Sequence, residues 1–334
     1  YGRCVMKDLI LVLTNSQDGK HSSSVISKIL EAGRNVFRFD VDKIGKGELK
    51  ITFKADSNGI ELNASCFNQA IALDDIGSIW YRRPNYFDFQ IKDSVQRSYA
   101  ESELKSFLDN LWEFTDTAFW LNNPKSLERA RKKIYQLKIA REIGFKIPDT
   151  IVTNNPTEAK KFFLQHRKQI IFKAIYHEFL NYGEKNFNIP TTLITERHLE
   201  KINLINYMPA LFQEFIEKDY ELRVTVVGEK FFAVKIDSQK YPETIVDFRN
   251  PDFIEKLNYE SISLSQDIAN KCFALMKHFN LEFGAFDFIL SKSGELYFLE
   301  VNPNGQWYWL EDLTGVLISD AIADILINKS FERR

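Results

Sequence analysis

Cysteine is scarce in this chain: Cys4, Cys66 and Cys272 are an odd number, far apart, with no CxxC pair. That excludes a disulfide framework and a zinc knuckle, and it fits a reducing cytosol. Histidine is nearly as rare. His21, His166, His177, His198 and His278 show no HExxH or HxH spacing, so a histidine-held zinc is not expected. No GxSxG elbow, no GxGxxG loop and no cysteine in a protease-like context occurs, which demotes nucleophilic-serine, dinucleotide and cysteine chemistry. Charge is nearly balanced, with a formal net charge of −2, so nothing draws the whole molecule to nucleic acid or an anionic membrane. No stretch approaches transmembrane length, and no secretory signal is visible. Tyr1 to Val5 precede Met6, the expected native start.

What is present is a large apolar supply: 44% hydrophobic residues, 28 of them Phe, in 334 positions. Such a length reads as two or three packed lobes. Asp8 to Thr14 is an apolar strand, Ser24 to Ala32 an amphipathic helix closed by Gly33, and Asn35 to Asp42 a second strand. This is a βαβ opening, the unit of an open parallel sheet. A strand at Ile76–Tyr81 runs into Arg82-Arg83-Pro84, and Leu104, Phe107, Leu108 and Leu111 form the core stripe of a long helix. Asn122-Asn123-Pro124 is a turn cluster and the best boundary, with Ser126 as N-cap of one helix reaching Ile143 and closed by Gly144. Short strands follow at Ile151–Thr153, Ile170–Ala174 and Ala210–Phe215, then a pair at Glu221–Val227 and Lys230–Asp237. An α/β lobe followed by an α+β region is therefore expected, divided as residues 1–122, 123–210 and 211–334.

The most informative segment runs from Phe286 to Asn304. With Ser293-Gly294 as a two-residue loop, Lys292 pairs with Glu295, and Asp287 falls opposite Glu300. Facing carboxylates destabilise a bare sheet, so a positive charge should sit between them. Asn302 returns to the Glu300 face by the period of two and adds a neutral oxygen. Two carboxylates and an amide oxygen suit Mg²⁺ shared with phosphate better than zinc.

Magnesium with phosphate calls for cations and a slot for a base. Lys173 sits inside an apolar strand, where an inward lysine is costly without an anion. Gln213-Glu214-Phe215-Ile216 leaves a buried strand and can offer backbone polar groups to an adenine edge between apolar walls. Glu221 and Arg223 share a strand face, as a ribose and phosphate pair or as an ordinary ion pair. Arg249, in Asp247-Phe248-Arg249-Asn250, offers another planar fork.

Together with Lys133, these segments resemble in order the motif set of the ATP-grasp ligases, over roughly residues 122 to 330. The fold so implied is an ATP-grasp with an N-terminal pre-ATP-grasp α/β lobe, a central lobe and a C-terminal antiparallel-sheet lobe. The resemblance implies ATP and Mg²⁺, with two ions expected. It puts Lys133 and Lys173 on phosphates, Gln213 to Ile216 on adenine, Glu221 on ribose, and Asp287, Glu300 and Asn302 on metal. Arg223 and Arg249 would hold the γ-phosphate and the acyl phosphate.

Within that superfamily the chain is similar to the microviridin-type ligases of graspetide biosynthesis. The likeness extends through Leu13-Thr14-Asn15-Ser16-Gln17-Asp18-Gly19, Ile79-Trp80-Tyr81-Arg82-Arg83 and Asn302-Pro303-Asn304-Gly305-Gln306-Trp307. One departure stands at Asn304, where the family often has Thr. The implied reaction joins Glu or Asp side chains to Thr or Ser, or to Lys, in a ribosomally made precursor peptide with leader and core, through an acyl phosphate. A leader is expected on Tyr176 to Glu200, with Tyr176, Phe179, Tyr182 and Phe187 as contacts; the alternative is a nucleotide lid. No nucleic-acid or membrane partner is implied, and a homodimer is compatible. Rival readings are a RimK-like amino-acid ligase acting on a protein or small acceptor, and a non-catalytic nucleotide-binding module.

Overall fold

The computed structural model describes residues 8–332 apart from 58, 67–68, 85–88, 116, 177–178 and 183–184. Cys4 and the expected start at Met6 lie outside the described residues. The chain opens with β1 (Leu9–Thr14), α1 (Lys20–Glu31), β2 (Val36–Asp40) and the single turn α2 (Asp42–Gly45). Every residue of β1 is buried, as a parallel strand covered on both faces requires. β3 (Leu49–Asp56), β4 (Gly59–Cys66) and β5 (Gln69–Ala72) form a separate antiparallel sheet. Then come β6 (Ile76–Tyr81), α3 (Ser94–Glu113) and β7 (Phe119–Leu121), completing the parallel order β2-β1-β6-β7. The α3 stripe packs Leu108 and Leu111 against Phe37, Phe39 and Ile79, as its spacing predicts.

The single helix expected from Ser126 to Ile143 is two, α4 (Pro124–Ala130) and α5 (Lys133–Ile143). Asn123, not Ser126, is the cap, accepting from the Lys125 N–H at 2.9 Å, and Pro124 needs no donor at the first helical position. The break is stabilised by Gln136, whose Nε2 donates to the Ala130 carbonyl and supplies the bond the interrupted ladder lacks.

The next unit contains β8 (Thr150–Thr153), α6 (Pro156–Gln165), β9 (Ile170–Lys173), the hairpin β10 (Phe179–Tyr182) and β11 (Lys185–Asn188), β12 (Thr192–Leu193), α7 (Glu196–Leu199) and β13 (Ala210–Glu214). Its sheet has the order β12-β9-β13-β8 and its own small core, where Ala159, Phe162 and Phe163 of α6 cover Ile170 and Phe212. β13 belongs to this sheet, so sheet membership changes after Glu214.

The last unit comprises β14 (Lys218–Val227), β15 (Lys230–Ile236), β16 (Tyr259–Ile262), α8 (Gln266–Phe279), β17 (Phe283–Ser291), β18 (Leu296–Asn302), α9 (Tyr308–Thr314) and α10 (Ile318–Glu332). Its antiparallel sheet runs β16-β15-β14-β17-β18. One face packs on α5 and α8 through Leu137, Cys272, Phe279, Phe286 and Phe298. The other shares a core with the first sheet: Ile10, Val12 and Trp80 meet Phe283, Trp307, Ile322 and Leu326. Ser78 Oγ donates to the Leu326 carbonyl at 2.8 Å across this junction. Among the described residues, no helix is long and apolar enough to cross a membrane.

Candidate active site

Asp287 does pair with Glu300, but by a different route from the one the sequence suggests. The loop is Lys292-Ser293-Gly294, closed by Ser291 and Glu295, with Gly294 at φ 82°. A three-residue loop ending in a left-handed residue needs glycine there, which is why the two-residue loop does not form. That shifts the register by one. A bulge at Leu299, where the pairing steps from Phe288↔Phe298 to Asp287↔Glu300, shifts it back. Bulges of this kind re-aim side chains beside functional sites.

Each carboxylate has its own cation. Arg223 Nη1 lies 2.7 Å from Asp287 Oδ1, and Lys133 Nζ 3.3 Å from Glu300 Oε2. The outcome differs between the two. Burial raises the Asp287 carboxyl above its usual value despite Arg223, and the neighbouring Glu300 adds to the rise. Burial would raise Glu300 too, but Lys133, Lys173 and Arg249 together hold it below the usual range. Asn302 Oδ1 accepts the Asn304 N–H at 3.1 Å, leaving its second lone pair for a ligand. Two carboxylates and an amide oxygen on adjacent strands are a hard donor set that fits Mg²⁺.

These groups line a cleft of about 580 Å³ between the β8/β9/β13 sheet and the β14/β17/β18 sheet. Lys173 stands on the opposite wall and makes no ion pair among the described residues. Burial lowers its ammonium below the usual lysine value, against the pull of Glu300, with Arg249, Lys133 and Lys218 adding to the fall. Arg249 turns its fork onto Asp247, Nε to Oδ1 at 2.9 Å and Nη2 to Oδ2 at 2.8 Å. The pairing holds Asp247 well below its usual range although burial pushes it up.

The far end suits a flat polar ring. Gln213 is buried, donates from Nε2 to Thr150 Oγ1 at 3.0 Å, and leaves Oε1 without a hydrogen bond. The Phe215 N–H is spent on the Gln169 carbonyl, whereas no described group accepts from the Ile216 N–H. Glu214, Phe215 and Ile216 line the cleft beside them. Glu221 pairs with Lys218 at 2.5 Å, and the same ammonium donates to the Val246 carbonyl at 3.2 Å. Burial nevertheless raises Glu221 above its usual value, with Lys218 opposing.

Sequence reasoning missed Lys218. Strict alternation puts it on the face opposite Glu221 and Arg223, but the register shifts between Lys218 and Tyr220, and this bulge turns it into the cleft. Gln136 was also missed. Its Oε1 accepts the Val301 N–H at 2.9 Å and its Nε2 donates to the Val301 carbonyl at 2.8 Å, pairing the edge of β18 between Glu300 and Asn302. Arg83, Gln306 and Trp309 complete the lining. Gly305 permits this packing, since a Cβ there would come within 2.7 Å of both Ala285 Cβ and Arg223 Nη2. Of the expected leader contacts, Tyr176 is exposed and lines a second cavity. The backbones of Phe179, Tyr182 and Phe187 form the β10–β11 hairpin, and their side chains lie outside the described residues.

A two-lobed cleft with hard oxygen donors at one end and room for a flat polar ring at the other has the form of an ATP-grasp ligase. Residues 9–128 match the MvdD pre-ATP grasp domain family. The chain is 34% identical to a RiPP-associated ATP-grasp ligase of Chryseobacterium gregarium, solved with ADP and a leader and core peptide, over 96% of this chain and 97% of that one, with a TM-score of 0.89. It is 29% identical to the macrocyclase MdnC of Microcystis aeruginosa MRC, solved with the precursor peptide MdnA, and 30% identical to the macrocyclase MdnB of the same organism. Both comparisons cover 96% of this chain and 99% of the other, with TM-scores of 0.85 and 0.80. No curated protein sequence matches. The chain belongs to the RiPP-associated ATP-grasp ligases of the microviridin type.

Proposed function

We propose that this enzyme closes ω-ester or ω-amide rings in a ribosomally made precursor peptide at the expense of ATP. The observation that carries the reading is the matched charge set in one cleft: Asp287 with Arg223, Glu300 with Lys133, and facing them Lys173, which makes no ion pair among the described residues. A pure nucleotide binder does not need two desolvated carboxylates on adjacent strands.

The nucleotide would lie with its base against Phe215 and Ile216, donating its amino group to Gln213 Oε1 and accepting from the Ile216 N–H. Glu221 accepts from the ribose hydroxyls, with Lys218 favouring its ionised form. Lys133 and Lys173 neutralise the phosphates. Asp287, Glu300 and Asn302 would hold Mg²⁺, two ions in this reading, and the metal when bound lowers the charge on the triphosphate.

A carboxylate oxygen of a substrate Glu or Asp attacks the γ-phosphorus, and the β,γ-bridging oxygen leaves with its electron pair as ADP. Arg223 steadies the phosphoryl group in transfer and Arg249 the acyl phosphate formed. The hydroxyl of a Thr or Ser, or the amine of a Lys, then attacks the acyl carbon, loses its proton, and expels inorganic phosphate. The chain's contribution is alignment and charge neutralisation. The leader would dock on the segment from Tyr176 to Glu200 and tether the core near the cleft.

The test is incubation with MgATP and a candidate precursor peptide carrying a leader and a Thr/Glu-rich core. A peptide lighter by one water for each ring, with matching ADP, is expected. ADP release with an unchanged peptide mass would rule the reading out.

A further inference from the structure

Arg82 and Arg83 leave β6 side by side and meet opposite fates. Arg82 is 1% exposed. Its Nε lies 3.3 Å from Asp18 Oδ1, and its Nη1 donates to the carbonyls of Asn304 and Gly305 and to Asn304 Oδ1 at 3.2, 3.4 and 3.3 Å. Arg83 lines the cleft instead. Among the described residues its guanidinium makes neither a hydrogen bond nor an ion pair; Asp18 and Arg131 are the charges that act on it from nearby. Its backbone is fixed, with the N–H on the Leu13 carbonyl at 3.4 Å and its own carbonyl accepting from Asn15 Nδ2 at 2.7 Å.

The Arg82 contacts settle which end of the cleft Arg83 occupies. Asn304 and Gly305 lie between Asn302 and Gln306, which both line the cleft, and the Gln306 carbonyl accepts from Arg223 Nη2 at 3.2 Å. Arg83 therefore enters the cleft from the side of the Asn302–Gln306 turn, whereas Gln213 and Phe215 belong to the opposing wall. The other two guanidinium groups of the cleft already hold Asp287 and Gln306 (Arg223) and Asp247 (Arg249), and the reading above gives them to the phosphoryl group and the acyl phosphate.

We propose that Arg83 is the receptor for the substrate's side-chain carboxylate, and so determines that the acylating residue is acidic. This rests on the ligase reading above. A guanidinium stays charged at any working pH and its planar fork matches a carboxylate. Holding one carboxylate oxygen leaves the other free to attack phosphorus. Because Arg83 comes from the first lobe and the phosphate lysines from α5 and β9, substrate and nucleotide are gripped by separate elements.

The probes are Nα-acetyl-L-glutamic acid N-methylamide and its glutamine counterpart, titrated by calorimetry or saturation-transfer NMR into the full-length enzyme with MgADP. Wild type should bind the glutamate probe about ten-fold more tightly than the glutamine probe, the preference of a charge-assisted contact. Arg83→Met should abolish that preference and Arg83→Lys retain part of it, with affinity for the Mg²⁺ complex of a non-hydrolysable ATP analogue unchanged in both. An equal preference in Arg83→Met and wild type, or no preference in wild type whether binding is measurable or absent, overturns the assignment. Failure of wild type to bind the nucleotide analogue would instead bring down the ligase reading, and this assignment with it.

Discussion

Gln136 and Val301 are joined as two strands would be, side-chain amide to backbone, with both polar groups of Val301 satisfied. The pair locks α5, which carries Lys133, to the strand that carries Glu300 and Asn302. Gln136→Met should strand the Val301 N–H and carbonyl and the Ala130 carbonyl, at a cost of about 1–3 kcal/mol for each group left buried and unpaired. Gln136→Glu should behave likewise at neutral pH and recover part of its ATP turnover as pH falls, because a protonated carboxyl regains the donor. Urea unfolding and a pH profile check this. A wild-type urea midpoint in Gln136→Met contradicts it.

Asp287→Asn and Glu300→Gln should each abolish ATP turnover, since each removes a charge from the proposed metal set. Their stabilities without Mg²⁺ should diverge, although from sequence alone the two look equivalent. The Asp287 carboxyl is raised, so its charge opposes folding at pH 7 and the neutral amide should be tolerated or slightly stabilising. Glu300 is lowered, so its charge supports folding above the ordinary glutamate value, and Glu300→Gln should unfold at lower temperature. Thermal scans at pH 7 in chelator test the contrast; equal shifts in both variants would refute it.

Lys173→Met should weaken binding of a non-hydrolysable ATP analogue by about 1–3 kcal/mol, the size of a charge-assisted contact. The ligand-free variant should melt no lower than wild type, because an unpaired ammonium in the cleft gives up hydration without a partner. Calorimetry and melting together examine both halves. An analogue affinity equal to wild type would remove Lys173 from the phosphate site.

His21 gives the fold an acid sensitivity. Burial, then repulsion from Arg82 and Arg83, pushes it down to about 3, while its Nδ1 faces the Tyr308 N–H at 3.4 Å. A lowered histidine supports the fold above its ordinary value of 6.5 and loses that support as pH falls toward 3. Between pH 7 and pH 5 it should cost about 2 kcal/mol. His21→Gln should show a correspondingly flatter urea midpoint over that range, and parallel profiles would exclude the effect.

Where burial repeated with a regular period, the sequence told the fold: β1, β6, the α3 stripe and the strand pair of the last sheet follow from apolar spacing. The pairing of Asp287 with Glu300 was legible for a less secure reason, because a loop one residue longer than expected and a bulge at Leu299 cancel. Lys218 had no such luck, for a single bulge reverses the face that alternation assigns. The first two strands of the β3–β4–β5 sheet were also written in the sequence, since Leu49, Ile51, Phe53 and Ala55, and then Ile60, Leu62, Ala64 and Cys66, alternate with polar residues, although Phe53, Ala55 and Ile60 end up exposed. The bonds of Gln136 to Val301 and of Arg82 to Asn304 join residues more than a hundred positions apart, and spacing along the chain carries no trace of them.

The core that joins the first sheet to α10 also fixes an order of events during synthesis. Ile10 and Val12 emerge from the ribosome some three hundred residues before Ile322 and Leu326, which are among the side chains that cover them. The first lobe must wait with one face bare while some three hundred residues are made, whereas the β8/β9/β13 unit can bury its own core as soon as it emerges. Nascent chains stalled before Ile318 should therefore expose the Trp80 face to chaperones and proteases, and release should close it.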